Sequence, residues 1–435
     1  MNQKEKDQKE KDQKENNLLL LFTSSYPYGD VAESFLDSEI LFLSRSFDKV
    51  ILIPQSLPSL LERVNRKLPE NIEIEDSLLN EQLPLKGVRN KISLALNAFI
   101  STDFYREILS KPEILFQISL FKSSVIFFGN AVIIKRWLQK YIETHNFDFS
   151  TTVFYTYWLS LPTSGVSMVK KKIPSLKIVS RAHGLDLYSE RHVPPYIPHR
   201  PEVFQYLNRL YLISDHGRKY VLDKYPMFED ICKVYRLGVN DLGFLTEASS
   251  DGIFRIVSCS YLVPVKRVDL LIQALAELGK IKSSRTFEWT HIGYGILQKD
   301  LQNLADSLLP KNVIPKFIGH LPNKEVIAYY QNNCVDVFVN VSASEGIPVS
   351  IMEAQSCGIP VIATAVGGTP EIVSNEVGVL LSENPFPREI AEAICSMMEN
   401  EAEAMVKRIN SRDNWENKYN SNKNFEIFVQ DLKKL

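Results

Sequence analysis

A two-domain α/β architecture, each domain a doubly wound parallel sheet, is the fold class this sequence predicts. Short apolar runs alternate with segments of helical spacing, the alternation occurs in two series, and a glycine-bearing stretch at 237–244 separates them. At 435 residues the chain exceeds what one hydrophobic core usually serves. With 45% hydrophobic and 23% charged residues it has the side chains to fill two.

Residues 1–16 stand apart: Gln, Lys, Glu and Asp recur with both charge signs and almost no apolar side chain, which predicts a disordered tail. Leu18 to Phe22 is a continuous apolar run of the kind that forms a strand buried on both faces. Ser25 to Asp30 reads as a loop with Gly29 at its turn, Ser34 to Phe47 has helical spacing, and Val50 to Pro54 completes a β-α-β unit. Val153 to Tyr157 and Leu176 to Arg181 supply later strands of the same sheet, and the aromatic cluster Phe154 to Trp158 reads as core. In the second series, strands are expected at Ile256 to Ser260, Phe287 to Ile292, Val313 to Ile318 and Val335 to Val341, with helices at Val268 to Leu278 and Leu297 to Leu309. Ligands of open α/β sheets bind at the carboxyl ends of the strands, so two such halves facing each other predict a site in the cleft between them.

Lys and Arg number 50 against 52 Asp and Glu, which argues against a dedicated nucleic-acid binder. The balance is uneven: residues 1–240 carry a net +4 and residues 241–435 a net −6. Residues 84–142 hold nine basic side chains against three acids and are rich in Phe, Ile and Leu. Such a segment predicts peripheral contact with an anionic membrane, the alternative being core helices with solvated Lys and Arg on their outer face. Five cysteines without a CxxC pair support neither a disulfide framework nor a zinc ribbon, and fit a reducing cytosol. No stretch reaches 18 uninterrupted apolar residues, so neither a spanning helix nor export is expected.

Chemistry concentrates in residues 335–364, which read as strand, loop, short helix and strand. Glu345 falls just before the helix, Pro348 sits where no donor is needed, and the free N–H groups of Gly346, Ile347 and Val349 suit an anion such as phosphate. Glu353 follows eight residues on, at most about 12 Å away along a helix, roughly the reach from a sugar across a diphosphate to a ribose. In isolation, such a pair would be a cap and a solvated helix residue.

It is not isolated. Glu345, Glu353, the strand Gly358-Ile-Pro-Val361 and the turn Gly367-Gly-Thr-Pro-Glu371 together resemble the signature of the retaining glycosyltransferases of family 4, glycosyl transferases group 1. That resemblance implies the GT-B fold, two Rossmann-like domains facing across a cleft. It gives Glu345 contact with a donor sugar and Glu353 the ribose hydroxyls of a nucleotide. The segment from Ile256 to Leu271 resembles the family's basic motif, in which an Arg and a Lys five residues later neutralise the diphosphate. Lys266 matches; Tyr261 stands where the Arg is usual, and the adjacent Arg267 is the candidate replacement. Ser180-Arg-Ala-His183-Gly-Leu-Asp186 resembles the segment whose His lies beside the donor sugar, Gly29 matches a close-approach position, and Gly293 belongs to a loop similar to the family's Gly-x-Gly near the base.

By this resemblance the domains are 1–16, tail; 17–240, acceptor-side; 241–412, nucleotide-sugar-binding; and 413–435, a closing helix that crosses back to the first. The implied reaction moves a sugar from a UDP- or GDP-linked donor to an acceptor hydroxyl with retention. The donor is a substrate, and no cofactor or catalytic metal is implied. The acceptor is expected to be a saccharide or lipid-linked saccharide of bacterial surface polysaccharide assembly. The enzyme would be cytoplasmic, at the inner face of the plasma membrane. Rival readings are a catalytically silent nucleotide-sugar-binding subunit and a nucleotide-sugar epimerase or glycan phosphorylase on the same architecture.

Overall fold

The computed structural model describes residues 17–29, 33, 35–57, 66–81 and 87–435. The tail at 1–16, Asp30, Ser34 and the start of the basic segment at 84–86 lie outside the described residues. The chain forms two compact units. One takes the described residues up to Leu212, then Arg218–Val234 and Phe428–Leu435; the other takes Ile213–Gly217 and Tyr235–Ile427.

The first unit is built on a seven-stranded sheet in the order β3-β2-β1-β4-β5-β6-β7. Its strands are β1 (Leu18–Thr23), β2 (Lys49–Pro54), β3 (Ile72–Ile74), β4 (Thr152–Thr156), β5 (Lys177–Ala182), β6 (Arg209–Leu212) and β7 (Cys232–Val234). Every pairing is parallel. Crossover helices must therefore cover the faces, which is why β1 and β4 are buried almost end to end. The order reverses between β1 and β4, and loops at such a switch point are where an α/β sheet receives ligands.

The second unit repeats the plan with six parallel strands, β10-β9-β8-β11-β12-β13. They are β8 (Ile253–Cys259), β9 (Thr286–Ile292), β10 (Val313–Gly319), β11 (Val337–Asn340), β12 (Val361–Thr364) and β13 (Gly378–Leu381). Here the switch lies between β8 and β11. Helices Val268–Ile281 and Pro387–Glu399 pack against each other and close a core of Ile256, Leu271, Leu275, Trp289, Val337 and Ile394.

Helix Ile118–His145 has 28 residues and is long and apolar enough, by length and composition, to cross a membrane. It nevertheless lies in the first unit's core: it packs on helices Val88–Phe99 and Leu161–Lys170, and Phe128, Ile134 and Leu138 are 0–1% exposed. Close packing is enforced at two glycines. A Cβ on Gly129 would stand 2.4 Å from the Leu94 carbonyl oxygen, and one on Gly165 would stand 2.5 Å from Ile134.

The stretch from 413 is not one closing helix. Glu401–Lys418 and Ser421–Leu432 are separate, because the Asn420 side chain accepts the amide of Asn422 at 3.0 Å and starts a new helix. Phe428 and Leu432 are fully buried, Phe428 lies under the Arg181 guanidinium at 4.1 Å, and Asp431 accepts the Tyr211 hydroxyl at 2.9 Å.

Candidate functional site

Two loops leave the carboxyl ends of β8 and β11, the strands that flank the second sheet's switch point. The first makes a 3-10 turn at Pro264–Lys266, and Arg267, at φ +48°, starts helix Val268–Ile281. The second carries Glu345 and enters helix Val349–Ser356 at Pro348. The loops are tied together by the Ala343 amide, which donates to the Val265 carbonyl at 2.8 Å.

That tie brings Lys266 to Glu345. The ammonium donates to Oε1 of the carboxylate at 2.6 Å, the Asn340 amide approaches the same oxygen at 3.4 Å, and Glu345 is only 8% exposed. Beside this pair, the amides of Gly346, Ile347 and Val349 take no protein acceptor among the described residues. The position therefore combines one ammonium with the positive end of a short helix, an arrangement suited to charge on a phosphate.

Arg267 donates into the loop that carries Glu345. Its Nε donates to the Val341 carbonyl at 2.7 Å, one terminal nitrogen to those of Ser342 and Glu383 at 2.8 and 2.9 Å, and the other to Asn384 at 3.1 Å. The guanidinium fork is committed to the loop that carries Glu345. Tyr261 is 49% exposed, its ring 6.3 Å from that of Tyr294.

The Gly-Gly turn fixes the same loop from its other side. Gly367 has φ +55°, and a Cβ there would stand 1.9 Å from the Glu345 carbonyl oxygen; the Gly368 amide donates to the Gly346 carbonyl at 2.8 Å. Only glycine satisfies both demands at 367. Glu371, which ends that motif, accepts the amides of Asp215 and His216 at 3.0 and 2.8 Å and pairs with Arg236.

Glu353 lies on the buried side of helix Val349–Ser356, and its carboxylate accepts the Asn323 amide at 2.5 Å. Burial pushes its pKa up to about 7, against the opposing effect of that hydrogen bond. Gly293, at φ +140°, marks a close backbone approach: a Cβ would stand 1.9 Å from the Ser260 carbonyl oxygen. Next to it, burial lowers the His291 pKa to about 4, so the ring is neutral, and it contacts Ser258 and the Ser260 carbonyl.

His183 and Gly29 belong to the first unit. His183 leaves the carboxyl end of β5 and packs against Trp158, Tyr157 and Phe35 at centroid distances of 4.3, 5.0 and 5.8 Å. Asp186 holds the turn by accepting the His183 amide at 2.8 Å and the Leu159 amide at 3.0 Å. Gly29, at φ +74°, lies in the loop after β1. That loop is organised by Glu33, whose buried carboxylate accepts the amides of Ser24, Ser25 and Tyr26 at 2.7–2.9 Å and the Trp158 indole at 2.5 Å. Glu33, Asn323 and Asn340 are the residues sequence reasoning did not single out.

Residues 247–419 match the family described as Glycosyl transferases group 1. The chain is 25% identical over 310 residues to the amylovoran biosynthesis glycosyltransferase AmsK of Erwinia amylovora, covering 69% of this chain and 74% of that one. The crystal structure of Anabaena Alr3699/HepE in complex with UDP superposes over 96% of this chain and all of its own, with 17% identity and a TM-score of 0.63. The apo form of the lipopolysaccharide outer core galactosyltransferase WaaB gives the same TM-score at 14% identity, over 96% of this chain and 99% of its own. The fold class is GT-B, as the resemblance implied. Taken with the family match, these comparisons support a glycosyltransferase.

Proposed function

We propose that this chain is a retaining, metal-independent glycosyltransferase that moves a sugar from a nucleotide-diphosphate donor to an acceptor hydroxyl in surface polysaccharide biosynthesis. The observation that carries the reading is the Lys266–Glu345 pair beside the open amides of Gly346, Ile347 and Val349. As the sugar departs, charge grows on the diphosphate; an ammonium already fixed in place, with N–H groups aimed at the same position, stabilises it without reorganising. Glu345 contacts the sugar and orients Lys266, Arg267 fixes the loop, Glu353 takes the ribose hydroxyls, and His183 serves the sugar. The acceptor attacks from the face the diphosphate leaves, and the departing phosphate takes its proton.

The UDP bound by HepE supports uridine donors as the first choice, and the biosynthetic roles of AmsK and WaaB support a saccharide acceptor. A lipid-linked acceptor on the cytoplasmic face of the membrane is favoured by one surface of the first unit. Val88, Ile92, Leu96 and Ile100 form an exposed stripe at four-residue spacing, extended by Leu109 and Phe116. Arg89, Lys91, Arg106 and Lys122 are exposed around it, whereas Asp103 and Glu107 are buried, leaving Glu113 as the exposed acid between 87 and 122.

The test is donor hydrolysis and binding across UDP-, GDP- and ADP-sugars, with and without EDTA, for the parent and for Glu345→Ala and Lys266→Ala. One donor should bind and hydrolyse slowly, insensitive to EDTA, with turnover collapsing in the variants. Tight binding without turnover, even with membrane lipid extracts, would instead identify a silent binding subunit.

A further inference from the structure

We propose that a second anion site lies wholly within the first unit, in a pocket that takes a phosphate group. The pocket has a volume of about 180 Å³ and is lined by Lys111, Ser189, Tyr196, Arg200, Tyr220 and Lys224 together with apolar side chains. Its three charged lining residues, Lys111, Arg200 and Lys224, are all cations.

Arg200 is the unusual member. It is 9% exposed, donates to the Leu159 carbonyl at 2.9 Å and to the Asp186 carbonyl, and makes no ion pair with a carboxylate among the described residues. Burial lowers its pKa to about 10; the nearby charge of Asp186 opposes this, while that carboxylate is itself engaged by the amides of His183 and Leu159. A buried charge is ordinarily paired, so a guanidinium that no carboxylate bonds directly, on a residue that lines a cavity, marks a place for a counter-ion.

The two lysines sit at the rim with side chains 32% and 43% exposed. Lys111 is 3.7 Å from Glu107, which is held by the Tyr196 hydroxyl at 2.5 Å and the His199 amide at 3.1 Å. Lys224 donates to Ser189 at 3.1 Å and is 3.9 Å from Glu190, an exposed acid that accepts the Tyr220 hydroxyl at 2.6 Å. Each lysine thus has only a loose, shared carboxylate, which an incoming dianion would outcompete.

Phosphate can reach this pocket from a lipid headgroup or from a soluble phosphate ester. Lys111 lies in the chain between exposed Leu109, at 79%, and exposed Phe116, at 84%, so a lipid headgroup is one source to be tested. The site stands on the first unit alone and does not rest on the donor reading.

Calorimetric titration of the full chain with inorganic phosphate tests it, comparing the parent, Lys111→Gln/Lys224→Gln and Lys266→Gln. The parent should bind saturably at this site, the double variant about tenfold or more weakly there, and Lys266→Gln, which weakens any phosphate held at the donor loop, should keep the binding step that the double variant loses. Unchanged UDP binding and an unchanged thermal midpoint in the double variant separate this site from the donor site and from misfolding. Flotation with phosphatidylcholine vesicles, with and without phosphatidic acid, then distinguishes the sources. Retention on the acidic vesicles that inorganic phosphate releases identifies a lipid phosphate, and phosphate binding without retention identifies a soluble ester. The site is overturned if the parent shows no saturable binding, or if the double variant binds as the parent does.

Discussion

Glu353 shows what a single buried carboxyl does at the residue scale. Its pKa is about 7 in the folded chain against 4.5 for the unperturbed group, so between those values the folded state keeps a proton that the unfolded state has lost. Folding stability from this residue is therefore full below pH 4.5 and is lost as pH rises through 7. Unfolding free energies of the parent from urea titrations should fall across that window relative to Glu353→Gln, by a total on the order of 3 kcal/mol. Parallel pH profiles for the two proteins would refute the shift. Asn323→Ala removes the hydrogen bond that favours the ionised form and should move the parent's transition to higher pH.

At the scale of elements, the turn at 367–368 matters more than its two missing side chains suggest. Gly367→Ala adds a Cβ that would stand 1.9 Å from the Glu345 carbonyl oxygen and occupies φ +55°, so the loop carrying Glu345 has to shift. Backbone strain alone costs about 1–2 kcal/mol, but displacement of the Lys266–Glu345 pair should weaken donor binding further. The check is a donor dissociation constant that rises by more than the thermal midpoint accounts for; equal losses would reduce the turn to a purely structural feature. This turn was legible through the family resemblance, because the residues that carry it are adjacent in sequence. Likewise β1 was legible as a strand because its continuous apolar run leaves few alternatives. The three-residue β3 and β7 were not, since three residues carry no period. Nor were the amide partners of the two glutamates: Asn323 lies 30 residues from Glu353 and reaches it from the start of another helix, with no spacing rule to announce it. Arg267 shows the same limit, because its charge was visible while the carbonyls it donates to come from residues 341–342 and 383.

For the whole molecule, the two units are not consecutive stretches of chain. Phe428–Leu435 completes the first unit after nearly two hundred residues spent in the second, a closure that sequence periodicity cannot locate. Its contribution is concentrated in Phe428, which contacts Tyr155 and Tyr211 at 5.7 and 4.9 Å and covers Arg181. Arg181 is fully buried and paired with the equally buried Glu39, which also accepts the Tyr155 hydroxyl at 3.0 Å. Removing the ring would leave a cavity over a buried ion pair and admit water to it, so Phe428→Ala should cost about 3–5 kcal/mol. Because β4, β5 and β6 carry Tyr155, Arg181 and Tyr211, that loss belongs to the first unit. Hydrogen exchange should accelerate through those three strands while β8, β11 and β12 retain their protection, and Asp431→Asn, which weakens the acceptor of the Tyr211 hydroxyl and removes the charge 3.9 Å from Arg209, should have a smaller effect of the same pattern. Uniform acceleration in the two sheets would mean that the closing segment stabilises the entire chain and not the unit whose core it completes.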